Sequence, residues 1–474
     1  MSANRFRVRT VALCGSIALV AAGLATASVL QPPRLTGLDY SAAALTETTD
    51  ARLVLRLNQS VATLRPADVS VDRDLPVTVT TDGATVTVRL GGRLDYGSTL
   101  RLRVRVAGQA TGATADIDET IRVRDPRVYT LVRHEQGDRL IGNDLVSGAA
   151  PSELNTHLRV QEYAALGDRV FTVSDAGGGA VEFGEFAERG EPGESGPRDG
   201  LGGAGDPSRS YHPLIPASDG ALSHLRADPA GQFVGVVADG VPVAGRSTAR
   251  ELLLMDARSG VAPPTAVSGQ DGTPFAVEDW RFVPGGLAVV VRTTANELWF
   301  AAPALGREPV RLGDAEGIAG VLPGTGEVVA LRGGEAVALD VSGLVAGGAA
   351  GLAAERSLGR ASVDRVFVGD GGGVFSVVRS GDGGRLLAGD EPGSDPGADP
   401  GGAVFFAPAD ERSRIGAVCP APNGTVIAVE VVSADAVSDG RPVRPGFLGT
   451  TTAYLDARTG ELLRSAIGFA PDWC

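Results

Sequence analysis

"ADPAGQFVGVVAD", residues 227–239, is a turn followed by an almost unbroken apolar run. Proline fixes φ and glycine accepts φ > 0, so the chain can reverse at Asp228-Pro229-Ala230-Gly231. The run that follows suits a strand buried on both faces. The same order returns in "YAALGDRVFTVSD" (163–175), "FVPGGLAVVVRT" (282–293), "VLPGTGEVVALRG" (321–333), "FVGDGGGVFSVVRS" (367–380) and "CPAPNGTVIAVEVV" (419–432). Further strand-like runs follow several of these, and "LLMDARSG" and "YLDARTG" are the best internal match. Pro229 and Pro284 are 55 residues apart, and Pro284 and Pro323 are 39 apart. A period of about 40–50 residues with four strands per unit is the spacing of a β-propeller, and the 3.6-residue periodicity of a helical solenoid is missing.

Six complete units are legible. "VYTLVRHEQGDRLIGNDLVSG" (128–148) predicts two strands before the first unit, and "GFAPDWC" (468–474) predicts one after the last. A blade shared between these ends would close a ring of six or seven blades over residues 127–474. The units resemble the WD40-like and TolB-like propellers of exported bacterial proteins, whose S-P-D-G turn corresponds to residues 228–231 here. No unit carries the full S-P-D-G, and no terminal Trp-Asp pair recurs.

Upstream, residues 33–126 read as a β-sandwich. "ARLVLRLNQ" (51–59), "PVTVTTDGATVTVRL" (76–90) and "STLRLRVRVAG" (98–108) alternate apolar and polar residues, the period of a half-buried strand. Asp82-Gly83 is a hairpin signal between two such runs. Arg101, Arg103 and Arg105 share one face of their strand, while Leu102, Val104 and Val106 share the other. "LVLRLNQSVATLRPADVSV" and "LDYGSTLRLRVRVAG" resemble the bacterial Ig-like domains of envelope proteins, and the resemblance implies a spacer. The arginine stripe is expected to be a solvated face; the competing use is contact with an anionic envelope polymer.

Residues 1–32 carry the targeting signal. Arg5, Arg7 and Arg9 precede the uncharged run Val11–Leu30, which at about 1.5 Å per residue just spans a ~30 Å hydrocarbon core. The expectation is a single-pass cell-membrane anchor with extracytoplasmic domains; cleavage after Ala27 would release a secreted form. Net charge is −14. The acid excess lies after residue 127, where 27 arginines face 45 acids, whereas residues 33–127 hold 13 against 12. Such a surface repels nucleic acid, and no nucleic-acid partner is expected.

In an exported domain two cysteines most simply pair, which predicts a Cys419–Cys474 disulfide worth roughly 3–4.5 kcal/mol of loop-closure entropy. No C-x-x-C, G-x-S-x-G, H-E-x-x-H or phosphate-loop motif is present. Gly200–Gly205 spells G-x-G-x-x-G within a low-complexity stretch without the required strand and helix. No cofactor is expected. Asp382, Asp390, Glu391, Asp395 and Asp399 could offer oxygen ligands to calcium, but lack the D-x-D-x-D-G spacing, and a solvated loop is the preferred reading. The four histidines are scattered; His224, on the inner-strand segment "LSHLRADP", is the weak site candidate, set against a partly buried histidine bonded to a neighbouring strand. These features point to an envelope-associated binding or scaffold protein whose acidic propeller face meets a protein or envelope partner. The alternative is an extracytoplasmic hydrolase or lyase that uses carboxylates on the propeller axis. No catalytic residue, cofactor-binding residue or metal ligand is assigned.

Overall fold

The structure is a computed structural model. It describes Ser16 and residues 31–47, 50–123, 125–166, 169–188, 209–228, 232–257, 263–283, 287–323, 325–345, 354–360, 365–368, 373–380, 383–388, 404–441 and 443–471. The apolar run Val11–Leu30 apart from Ser16, the residues Pro229–Gly231, the Gly200–Gly205 motif, the acids Asp382, Asp390, Glu391, Asp395 and Asp399, and Cys474 lie outside the described residues. Among the described residues, no helix is long and apolar enough to cross a membrane.

The chain divides into two compact units, residues up to Val123 and residues from Arg124 onward, with short exchanges at 46–48 and 95–97. In the first unit, strands Leu35–Tyr40, Arg52–Leu57, Thr85–Leu90 and Val77–Asp82 form one sheet in that order, and Val69–Val71, Thr99–Ala107 and Thr114–Arg122 form a second. Both sheets contribute to one core, with Leu53, Leu55, Val86 and Val88 from the first and Leu100, Leu102 and Val104 from the second. Thr99–Ala107 alternates exposed and buried residues along its length. Its arginines are met by acids on the neighbouring strand, Arg101 with Asp118 at 2.8 Å and Arg105 with Asp116 at 3.0 Å. The stripe is therefore largely neutralised by cross-strand pairs of the exposed kind, worth little to stability.

In the second unit, seven antiparallel sheets of three or four strands follow one another along the chain, besides a two-stranded hairpin at Pro242–Val243 and Arg246–Ser247. Blade 1 contains Arg127–Val132, Arg139–Asp144 and Ser152–Asn155. Blade 2 starts at Arg159–Leu166, blade 3 at Ala221–Ala227, blade 4 at Val277–Val283, blade 5 at Gly317–Val321, blade 6 at Arg365–Val368 and blade 7 at Arg414–Pro420. Blades 2 to 7 have four strands each. The first strands of blades 2, 3, 4 and 5 lie against one another in turn, as do those of blades 6 and 7, which makes them the axial strands.

Six of the seven junctions between blades can be followed through their cores. Leu131 and Val160 share a cluster between blades 1 and 2, Phe183 and Val236 between 2 and 3, and Leu252 and Trp280 between 3 and 4. Val290 and Val328 join 4 and 5, Phe375 and Ile427 join 6 and 7, and Tyr454 and Val128 join 7 back to 1. The opening stretch shows why its run is unbroken: Val234, Val236 and Ala238 face blade 2, while Val237 faces blade 4. Each such fully buried side chain contributes about 1.5–3 kcal/mol.

Closure departs from the sequence expectation in one respect. Three strands, not two, precede the first complete unit, because Ser152–Asn155 pairs with Arg139–Asp144. The axial strand of blade 1 comes from the chain's far end: Leu131 and Phe469 exchange both backbone hydrogen bonds, at 2.9 and 3.1 Å. The ring thus has seven blades, the first built from both ends of the unit.

Candidate functional site

Strands alternate in direction, so one end of the ring carries the turns between second and third strands together with the blade-to-blade connections. Three segments meet there. The turn 133–138 of blade 1 and the connection 156–158 border a cavity of about 370 Å³ lined by His134, Glu135, Gln136, Gly137, Arg139, Asn155 and His157. In blade 7 the second and third strands, Val426–Ser438 and Phe447–Asp456, run on past the ring as a long hairpin. Its tip bears Val437, Val443 and Leu448, which are 65%, 46% and 48% exposed.

Ion pairs hold this hairpin over blade 1. Asp138, fully buried, accepts the Arg441 guanidinium at 2.9 Å, the Val160 N–H at 2.8 Å and the His134 N–H at 3.1 Å. Arg133 lies between Asp138 at 3.6 Å and Asp439 at 3.5 Å, and stacks over Phe469 at 5.4 Å. Burial pulls the Arg133 guanidinium below its ordinary pKa, and the two aspartates oppose that pull. Arg444, at φ +49°, reaches on to blade 2, where it meets Glu162 at 2.8 Å.

The axis is polar on blades 2 to 4. Each of their first strands has a bulge, at Val160/Glu162, Ser223/Arg226 and Val277/Asp279. A bulge re-aims the side chains around it; His224 lies within its bulge, and Glu162 and Asp279 directly follow the skipped residues of theirs. Glu162 accepts the Leu225 N–H at 2.7 Å through Oε2, and its Oε1 takes Arg444. Asp279 Oδ1 takes its neighbour's N–H at 2.8 Å and Arg281 at 2.7 Å, with Arg226 at 3.6 Å. Burial lowers the pKa of His224 and of Arg226; the carboxylates of Asp279 and Glu162 work against both shifts. Blade 5 has Ala319 and Gly320 at its own bulge, and a Cβ on Gly320 would meet nothing within 4 Å.

His224, the weak site candidate read from the sequence, stands in this arc at φ +55°. Its Nδ1 lies 3.0 Å from Ser223 Oγ, and its carbonyl accepts the Trp280 indole N–H at 2.9 Å. His134 and His157 are brought to one cavity, whereas His212 pairs with Ser210 on blade 2. Among the described residues, no group of three His, Cys, Asp or Glu is arranged to hold a metal. Cys419 is buried and disulfide-bonded; its proposed partner Cys474 lies outside the described residues. Sequence reasoning missed Glu162, Arg226, Asp279, Arg281 and Arg444. The available signal was a charge interrupting an otherwise apolar axial strand, as in "VQEYA", "SHLRA" and "EDWRF".

By its sheet order and closure, the second unit is a β-propeller with a polar axis and a strapped face. No protein-family model matches the chain, and no curated protein matches it. Solved structures with some likeness include the dihydro-heme d1 dehydrogenase NirN in complex with DHE, at 14% identity and TM-score 0.38, covering 78% of each chain. Chaetomium thermophilum Sqt1, bound to the N-terminus of a ribosomal protein, has 15% identity and TM-score 0.32 over 73% of this chain and 85% of that one. The β-propeller domain of Swd1 from Myceliophteria thermophila has 10% identity and TM-score 0.27 over 84% and 96%. None reaches a TM-score of 0.5, and the propeller is defined here by its own topology.

Proposed function

We propose that this chain is an extracytoplasmic, envelope-associated binding protein. In this reading Val11–Leu30 tethers it, an Ig-like first unit acts as a spacer, and the propeller presents the contact surface to a protein partner. The observation that carries it is the blade 7 hairpin, which holds Val437, Val443 and Leu448 in solvent on a base of buried ion pairs. Exposed apolar side chains on a rigid support are what a partner surface needs. The axial carboxylates favour binding over hydrolysis. Glu162 uses both oxygens, and Asp279 is bound by two arginines, so neither is poised to pass a proton to a leaving group. The two sheets over one core support the Ig-like assignment.

The test is capture from envelope extract with the full chain as bait, compared with a Val437→Ser, Leu448→Ser double variant. The expected result is one specifically captured protein that the variant loses at least tenfold. Surface changes of this kind should move stability by only about 0.5 kcal/mol. Glycan turnover by the wild-type chain, or equal capture by the variant, would overturn the reading.

The compartment is tested through Cys419. We assign its partner as Cys474, which follows the last described residue, Pro471, by three positions. Closing about 55 residues gives roughly 4 kcal/mol on the chain-entropy model. Cys474→Ser is expected to lower the unfolding midpoint accordingly and to leave Cys419 open to alkylation. Two alkylatable thiols in native exported protein would remove both the bond and its support for an oxidising compartment.

A further inference from the structure

The cavity beside blade 1 is built on a rigid frame. Backbone hydrogen bonds stitch the turn 133–138 to the connection 156–158. The Asp138 N–H donates to the Leu158 carbonyl at 2.8 Å, and the Thr156 N–H donates to the Asp138 carbonyl at 3.1 Å. The Thr156 hydroxyl donates to that same carbonyl at 2.6 Å. A Cβ on Gly137 would lie 2.7 Å from the His157 Cα, so the two segments touch. His157 is held there at φ +54°, a conformation uncommon for residues other than glycine.

This frame presents unspent hydrogen-bonding capacity. The side chains of His134, Glu135, Gln136 and His157 line the cavity and bond to no described residue. The chain has four histidines, and two of them meet in this one cavity. Asn155 uses its Oδ1 on the His157 N–H at 3.3 Å, and its Nδ2 bonds to no described residue. Arg139, by contrast, is matched by Glu153 at 2.9 Å. The lining has no aliphatic or phenyl side chain for an apolar ligand. The Glu135 carboxylate, which pairs with no described arginine, repels an anion. Among the described residues, no group of three His, Cys, Asp or Glu is arranged to hold a metal. A neutral imidazole and a carboxamide each offer both a donor and an acceptor, and a hydroxyl group matches them because it also does both.

We propose that this cavity is a saccharide-binding site, in which the hydroxyl groups of an uncharged sugar bond to the imidazoles of His134 and His157 and to the carboxamides of Gln136 and Asn155. Its volume, about 370 Å³, lies at the small end of ligand cavities and has room for one or two sugar rings. Glu135 accepts from a hydroxyl and selects against acidic sugars, because two facing carboxylates have no donor between them. The site is separate from the hairpin tip and does not depend on the partner reading.

The experiment uses the full chain in a detergent without sugar headgroups, with its histidines isotopically labelled. It is titrated in turn with maltose, lactose and N,N′-diacetylchitobiose, and the imidazole resonances in NMR report each histidine separately. The expected result is a saturable shift of His134 and His157 with at least one of these sugars, while His212 and His224 stay in place. His157→Gly, which relieves the positive φ and removes the ring, should weaken binding about tenfold, the equivalent of one or two net hydrogen bonds. His134→Ala should do the same. His212→Ala, whose ring pairs with Ser210 outside the cavity, should bind as the wild type does. No saturable shift with any of the three sugars, or wild-type affinity in both His157→Gly and His134→Ala, overturns the site. Tighter binding of glucuronate than of glucose, or stoichiometric binding of zinc at these two rings, overturns the assigned ligand class.

Discussion

Truncating Trp280 to alanine is expected to destabilise the propeller by about 3–5 kcal/mol, among the largest effects of any single change in this unit. The indole is fully buried between blades 3 and 4, in the cluster that holds Val237, Leu252 and Val289. It meets Phe282 edge-on at 4.8 Å. It also fills the space that a side chain at position 235 would need: a Cβ on Gly235 would come within 2.6 Å of the ring. Removing the ring therefore opens a cavity that Gly235, without a side chain, cannot help to fill. The change also removes the N–H that satisfies the His224 carbonyl, at a residue held at positive φ. Chemical denaturation of the variant should show a lower midpoint, and Trp280→Phe should recover part of the loss. A change below about 1 kcal/mol would mean that blades 3 and 4 repack freely, and the account of their interface would fail.

Asp138→Ala is expected to cost a similar amount, about 3–5 kcal/mol, by a different route. The carboxylate sits among four donors, and alanine leaves Arg133, with a side chain only 3% exposed, facing the single remaining charge of Asp439. The hairpin also loses its anchor through Arg441. Two measurements separate these consequences. Denaturation reads the stability, and limited proteolysis near Arg441 and Arg444 reads the release of the hairpin. The double variant Asp138→Ala, Arg133→Met should be more stable than Asp138→Ala alone, because the stranded charge is gone. If the single variant unfolds at the wild-type midpoint, the buried pairs do not hold the strap.

The propeller was legible because its repeat is written in local chemistry. A turn with proline or glycine and then four or five apolar residues is a strand between two neighbours, and the burial of Val234 through Ala238 has that cause. Alternation in Thr99–Ala107 was equally direct. Ser152–Asn155 was missed because it is an outer strand. Its sequence, Ser-Glu-Leu-Asn, has one apolar residue and none of the β-branched residues that mark buried strands. The arc at the axis was illegible for a different reason. Glu162 and Arg444 are separated by 282 positions and meet only after the ring closes. His224 could be named from its strand, but its neighbours Glu162 and Asp279 belong to the strands on either side. Topology, not spacing, assembles that group.

The pairing of Phe469 with Leu131 has a further consequence, for synthesis. A nascent chain halted short of Phe469 holds blade 1 without its axial strand, and Leu131 presents an unpaired edge for as long as translation continues. The ring is therefore completed in a single late event rather than blade by blade, and any truncated product carries an open seam that proteases and aggregating neighbours can use.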